Sequence, residues 1–556
     1  MALICSEEQQ AMLRHEADSG YEKAPSAKRF CEDIENNNSL NNFKSSHGSA
    51  SRNRGEMAAQ YSSNAKGVLA QCLVTGAVLL LATGGGMPIG YSAVMLPQLS
   101  EPNSTVRVNQ ELGSWIASIH SLATPFGSLM SGPLIEAIGR RGCLQLSAIP
   151  ICVGWLIIGF SRSVTSILVG RVICGLSVGL MAVPAQVWLG ETADTGLRGV
   201  LVCGGFAAYC LGILLVYILG ASFNWDLVAF YGIALPVFSF IAFCLLPESP
   251  VWLIKRKKIE KARKALLWLR GGDAEQTNTE VAMLEARITA DLVERQRQVV
   301  DVSLRQRISS MMSVVRDPGV LKPLIIINVF NILQLCSGTY IIVFYAVNLV
   351  QDMDGGSVDN YLAAVVTAVV RFVFSIVSCV MFLRIRRRIV AISSALGTAV
   401  ASLVLAGYML ARQEGSSVDS YLLATFLLVY VAANTVGLVT LPALMVGELI
   451  PMRARGIGGG CCFFIFNLFM FLITKCFPAV NNAIGVTGIF TVFGIFSLLV
   501  AIFLYLFLPE TKSSTLEEIE DYFKVRRICS SNEVSSYIGR SDGLRCAQFE
   551  CVFTAK

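Results

Sequence analysis

Residues 188–199 read WLGETADTGLRG, and residues 447–456 read GELIPMRARG. In each, a glutamate is followed seven residues later by Arg-Gly: Glu191 by Arg198-Gly199, and Glu448 by Arg455-Gly456, at an offset of 257. Pro247-Glu248-Ser249 and Pro509-Glu510-Thr511 repeat at an offset of 262, and the basic triplets Gly139-Arg140-Arg141 and Arg386-Arg387-Arg388 at 247. Three offsets this similar describe a chain built from two related halves.

Around these signatures the sequence is apolar. Of the 556 residues 54% are hydrophobic and 15% charged, and mean hydropathy is +0.59. A soluble domain carries roughly 25% charge, so a water-facing surface is excluded, as are disordered, fibrous and nucleic-acid-binding classes. A helix crossing the hydrocarbon layer needs about 20 apolar residues. Such runs lie near 68–95, 113–135, 143–161, 164–189, 199–222 and 227–246, then near 322–349, 361–383, 389–411, 420–446, 457–478 and 486–508. The Gly- and Pro-broken run 84–97 makes the first span the least regular. The expected fold is an all-α membrane protein with twelve transmembrane helices in two six-helix pseudo-repeats, a plan that places a solute site between the halves.

Charge placement orients the scheme. Arg140-Arg141, Lys255 to Lys258, Arg384 with Arg386 to Arg388, and Arg453 with Arg455 all fall on one side, while Asp352, Asp354 and Asp359 fall on the other. The positive-inside rule makes the basic side and both termini cytoplasmic. The expected organisation is a disordered cytosolic tail at 1–66, a six-helix bundle at 67–247, a cytosolic helical linker at 248–321, a second bundle at 322–508 and a cytosolic tail at 509–556. In the linker, Ile259–Arg270 and Val281–Val293 carry apolar residues at helical spacing, predicting two short amphipathic helices. The sequon at Asn103 falls in the first loop assigned outside, an expected glycosylation site of a plasma-membrane protein. Residues 1–66 lack the basic start and apolar core of a signal peptide.

The 17 cysteines sit mostly in apolar runs, and the histidines are His15, His47 and His120. No metal, cofactor or disulfide framework is implied. His120 is expected to be packed and satisfied rather than a proton relay. No nucleophile–base pair lies near a helix end, which argues against an enzyme. The partners implied are a small-molecule solute and the lipid bilayer, with no nucleic acid and no obligate protein partner.

Taken in order, GPLIEAIGRR (132–141), GRVICGLSVG (170–179), WLGETADTGLRG (188–199), PESPVWL (247–253), QLCSGTYIIVFY (334–345), GELIPMRARG (447–456) and PETKSSTLEEIE (509–520) resemble the sugar porter family of the major facilitator superfamily over roughly residues 68–524. The insect trehalose-facilitator branch looks closest, through GMPIGYSAVMLPQL (86–99). The resemblance implies rocker-switch transport of a sugar, trehalose or a hexose. It also implies that Glu136, Arg140, Arg141, Glu191, Arg198, Arg387, Glu448 and Arg455 form a cytosolic gate tying the halves together. Two departures stand out there: Leu383 at an acid position and Arg386 at a glycine position.

The implied pocket departs further. Gln334 keeps one amide, but Leu335 stands where a second is expected, Tyr340 replaces an Asn, Arg371 lies at an eighth-span Asn, Ala443 replaces a Trp, and Phe466 an Asn, with Asn467 displaced by one. Phe206 stands at a position that often carries Gln. Gln334, Ser337, Tyr340, Arg371 and Asn467 are the candidate substrate-binding residues. An arginine inside a span faces protein or a watery cavity. Arg371 therefore either neutralises backbone carbonyls or reads a carboxylate or phosphate on a non-sugar solute. Residues 68–100 contain no Asp or Glu, so uniport is expected rather than proton coupling. A transporter-like sensor without turnover is the alternative.

Overall fold

A computed structural model describes residues 65–101, 104, 106–193, 198–298, 316–354, 359–413, 420–451, 454–511, 519 and 522–523. Five long helices open the chain: α1 (Ala65–Ser100), α2 (Gln110–Ile138), α3 (Arg140–Gly159), α4 (Val164–Thr192) and α5 (Arg198–Ser222). The sixth crossing is split into α6 (Trp225–Tyr231) and α7 (Ala234–Leu245). Three helices follow, the short α8 (Pro250–Lys255) and α9 (Ile259–Leu269) and the longer α10 (Ala274–Gln298). The rest comprises α11 (Pro318–Cys336), α12 (Ile341–Phe344), α13 (Ala346–Asp354), α14 (Asn360–Arg384), α15 (Arg387–Gln413), α16 (Ser420–Asn434), a π-helical turn at Thr435–Val439, α17 (Leu441–Leu449) and α18 (Arg455–Phe507). Ten helical stretches among the described residues are long and apolar enough to cross a bilayer. Two further crossings complete twelve. The 29-residue α2 is one, and the other comes from Gly485, whose φ of +65° divides the 53-residue α18 into two.

Side chains start these helices where backbone N–H groups lack partners. Asn109 caps α2 by accepting from the Leu112 amide at 2.8 Å, and Ser163 caps α4. Asp317 caps α11 just before Pro318, which suits a first helical position. The first span is continuous despite Pro88 and Pro97. Irregularity falls instead on the sixth, seventh and tenth crossings. In the tenth, Ser394 of α15 accepts from the Gly437 and Leu438 amides and donates to the Ala433 carbonyl, and Ser378 of α14 donates to the Val436 carbonyl. Hydroxyls from neighbouring spans thus satisfy the backbone groups the π turn displaces.

Within the first set, α2 and α3 pack on α4, α1 on α5, and α7 on α1 and α3; within the second, α11 and α15 pack on α18, and α16 on α14 and α15. The broadest seams between the sets are α2 against α18 and α5 against α14, and α12 and α13 also pack on α1. Phe126, Leu129, Phe238, Leu245, Val400 and Ile502 point outward, while Arg171, His120, Gln334 and Asn434 are buried. Apolar outside and polar inside is the arrangement a lipid solvent selects.

The linker forms the two expected helices, α9 and α10. Ala262 and Ala265 of α9 meet Ile288 of α10 and Leu253 and Ile254 of α8 in a small separate core. Residues 1–64, Asn103 and residues 299–315 lie outside the described residues, as do the side chains of Arg198, Leu383, Ala443 and Arg455.

Candidate functional site

The half-to-half repeat has matching chemistry at the arginine-rich connectors. Gly139 joins α2 to α3 at φ +92°, a conformation glycine adopts freely, and a Cβ there would lie 2.4 Å from the Glu248 carboxylate. Glu248 occupies that space, accepting from the backbone amides of Arg140, Arg141 and Ser249 at 2.8–3.0 Å. An anion at a helix N-terminus offsets its unpaired N–H groups. In the second half Glu510 accepts from the Arg387 and Arg388 amides in the same way, at 3.2 and 3.3 Å.

The ion pairs repeat too. Arg140 Nε and Nη2 donate to Glu191 Oε2 and Oε1, each at 3.0 Å, a bidentate geometry. Arg387 pairs with Glu448. Ser249 donates to Glu191, and Thr511 to Glu448 at 2.7 Å. Arg141 reaches the Leu246 carbonyl and Arg388 the Tyr505 carbonyl. Both ion pairs lie inside one half, where the sequence led us to expect bonds between halves; these pairs brace each bundle's own end. Glu136, whose side chain is 63% exposed, stands 3.9 Å from both Arg140 and Lys255 and is peripheral to the bidentate pair.

The central residues gather around a break in the seventh crossing. α11 ends at Cys336, and Gly338 at φ +82° turns the chain before α12. Ser337 Oγ and Thr339 Oγ1 both donate to the Gln334 carbonyl, at 2.6 and 3.1 Å. Tyr430 of α16 donates to the Ser337 carbonyl at 2.5 Å, and Arg371 Nη2 of α14 to the Thr339 carbonyl at 3.1 Å. The Gln334 side chain is buried, and neither its amide nitrogen nor its oxygen has a partner among the described residues. Tyr340 meets Phe466 edge to face with centroids 5.5 Å apart. Asn467 turns away from this group: its Nδ2 donates to the Phe463 carbonyl of its own helix at 2.9 Å. Tyr217 of α5 crosses between the halves to donate to the Val343 carbonyl at 2.6 Å.

Four features escaped the sequence reading. Asn434, beside the π turn, is buried with both amide atoms unpartnered; an amide in an apolar run was the available signal. Arg171 of α4 is fully buried and donates to the carbonyls of Ile116, Ala117 and Pro88 and to Ser92 Oγ, fastening α1 and α2 to α4. His120 is packed as expected but unsatisfied, since neither ring nitrogen has a partner among the described residues. Finally, α2 and α18 meet in a polar seam at the face opposite the connectors. There Lys475 Nζ lies 2.7 Å from Ser114 Oγ and 4.4 Å from the Trp115 ring centroid, and Asn482 donates to Gln110 at 2.9 Å.

Among the described residues no cluster of His, Cys, Asp or Glu could hold a metal, and no disulfide is formed.

Residues 69–523 match the protein family described as "Sugar (and other) transporter". The chain is 32% identical over 450 residues to the facilitated trehalose transporter Tret1 of Drosophila yakuba, covering 80% of this chain and 51% of that protein. It is 31% identical over 455 residues to Tret1 of Polypedilum vanderplanki, covering 80% and 88%. The chain thus spans about half the length of the first of these relatives. In fold it is similar to the proton:xylose symporter XylE bound to 6-bromo-6-deoxy-D-glucose, at a TM-score of 0.63 and 20% identity over 81% of this chain and 99% of that one. A peptide transporter POT mutant is similar at a TM-score of 0.55 and 14% identity, over 81% and 96%.

Proposed function

The chain belongs to the sugar transporter family of the major facilitator superfamily, and on that premise we propose that it is a facilitative uniporter moving a sugar-like solute by alternating access. That makes it a transporter and not an enzyme. The observation that carries the reading is the buried amide of Gln334, unpartnered among the described residues, at the broken seventh crossing. A buried amide without a partner costs about 1–3 kcal/mol; sugar hydroxyls, each both donor and acceptor, would relieve that cost on binding. Ser337, Tyr340 and Arg371 lie around the same break, with Tyr340 and Phe466 offering an aromatic edge. Asn467, bonded to its own helix, would join only after a rotamer change.

The bundles are residues 67–247 and 322–508, with 248–321 as a cytosolic linker, both termini cytoplasmic, the plasma membrane as the site of action and Asn103 as an external glycosylation site. Trehalose or a hexose is the first solute to test, given the names of the similar insect proteins. The gate residues act on each bundle's own end. Arg140–Glu191 and Arg387–Glu448 rigidify the cytosolic end of each bundle, so that the bundles rock as bodies.

The test is uptake of radiolabelled trehalose, hexoses, polyols and organic anions into proteoliposomes of the purified full chain. Saturable flux of at least one solute, lowered by Gln334→Ala, is expected. Solute binding without any flux would instead identify a sensor.

A further inference from the structure

The two arginines buried at comparable depth in the spans are treated differently by the fold. Arg171 has four acceptors, three of them carbonyls. Arg371 is 3% exposed and has one, the Thr339 carbonyl. A guanidinium carries five N–H donors and a charge that stays on in a protein. Four of the five donors of Arg371 have no partner among the described residues. Arg371 retains a trace of exposure, whereas the Gln334 amide atoms are fully enclosed. No carboxylate among the described residues pairs with it, since the ion pairs belong to Arg140, Lys255, Arg270 and Arg387.

The surroundings of Arg371 are neutral. Tyr217, Tyr340, Tyr430 and Cys210 lie within its electrostatic reach. The hydroxyl hydrogens of Tyr217 and Tyr430 are committed to the Val343 and Ser337 carbonyls, leaving lone pairs that soften a cation without balancing it. A charge held inside a membrane protein costs several kcal/mol unless an opposite charge or a full set of hydrogen bonds offsets it. The protein supplies one bond of five. Thr339, whose carbonyl accepts from Arg371, donates its hydroxyl to the carbonyl of Gln334, and the Gln334 side-chain amide has no partner among the described residues.

We propose that Arg371 recognises one anionic substituent, a carboxylate, phosphate or sulfate, on a polyhydroxylated solute whose hydroxyls are read by Gln334. The planar fork of free N–H groups accepts such an anion bidentately. The anion supplies the missing counter-charge, and the sugar-like body supplies donors and acceptors to the amide. This inference rests on the reading of the central cleft as the transport path.

The experiment uses the purified full chain in proteoliposomes with D-glucose, D-glucuronate and glucose 6-phosphate, and in detergent with the same three solutes in a thermal-shift assay. At least one of the two anions should enter tenfold faster than glucose at equal concentration, and faster still under an inside-positive potential. Arg371→Gln should abolish that preference, and Arg371→Lys should retain part of it. Glucose moving as fast as both anions, or a preference unchanged in Arg371→Gln, overturns the proposal while leaving transport intact. If no solute moves, an anion that stabilises the wild type but not Arg371→Gln upholds the anion site and sinks the transport reading. If neither anion stabilises the wild type, the anion site is wrong.

Discussion

Arg171 and Arg371 make a natural pair for testing what a buried charge does. Removing Arg171 strands the acceptors that it binds on Pro88, Ser92, Ile116 and Ala117, and stranding a buried hydrogen-bonded network costs about 3–5 kcal/mol. Arg171→Met should therefore lower the melting temperature of the purified protein sharply and reduce its yield. Removing Arg371 strands only the Thr339 carbonyl, worth about 1 kcal/mol, and relieves an under-bonded cation. Arg371→Met should leave thermal stability unchanged or raise it. A fall in Arg371→Met as large as that in Arg171→Met would show that Arg371 is a structural staple. Gln334 belongs to the same scale. If its amide holds solute hydroxyls, Gln334→Ala should raise the half-saturation concentration of uptake about tenfold, in line with about 1.4 kcal/mol, while its melting temperature holds, because the native side chain makes no bond to lose.

Elements determine which face of the molecule is shut. At the face opposite the connectors α2 and α18 are held by Lys475 on Ser114 and Trp115, by Gln110 with Asn482, and by Trp115 packed on Phe471 with centroids 5.8 Å apart. An ammonium over an indole contributes about 0.5–2 kcal/mol depending on its desolvation, enough to shift a two-state equilibrium several-fold. Lys475→Ala should lengthen the distance between spin labels at Arg107→Cys and Ala483→Cys, in a background lacking reactive cysteines, by raising the share of molecules open at this face. An unchanged distribution would show that the seam is packing alone. Neither this seam nor the breaks in the seventh and tenth crossings were legible in the sequence, and the reason is common to them. Apolar runs report that a helix exists, because lipid demands the same composition along its whole length. The π turn depends on Ser394 and Ser378, which reach it from other spans, and the Lys475 contact joins residues 361 positions apart. Gln334 was legible as an amide in an apolar run. The inward turn of Asn467 to Phe463 was not, since a rotamer choice leaves no trace in residue spacing.

At the scale of the whole molecule, the legible part was the repeat, and geometry explains why it could be read. Arg140, Glu191 and Glu248 must meet around one helix start, and Arg387, Glu448 and Glu510 around another, so both halves keep the same residue types at the same separations. A chain of this build can move solute passively or harness a proton gradient, and the distinction turns on acids. None of the twelve apolar runs holds an Asp or Glu; acids near them such as Glu111, Glu136, Glu191, Asp226 and Glu448 stand at helix ends. Arg171, the charge buried in the first bundle, is neutralised by carbonyls and a serine hydroxyl rather than by a carboxylate that could exchange a proton with it. With no Asp or Glu in the apolar runs, a proton gradient finds no carboxylate there to act upon, as the proposed uniport requires. Uptake into proteoliposomes should run to equilibrium and stop, at an initial rate that an inward pH gradient changes by less than twofold and a protonophore leaves alone. Transient accumulation above equilibrium under the pH gradient, abolished by the protonophore, would require a titratable group in the path and would point first to His120, which is buried in α2 with both ring nitrogens unpartnered.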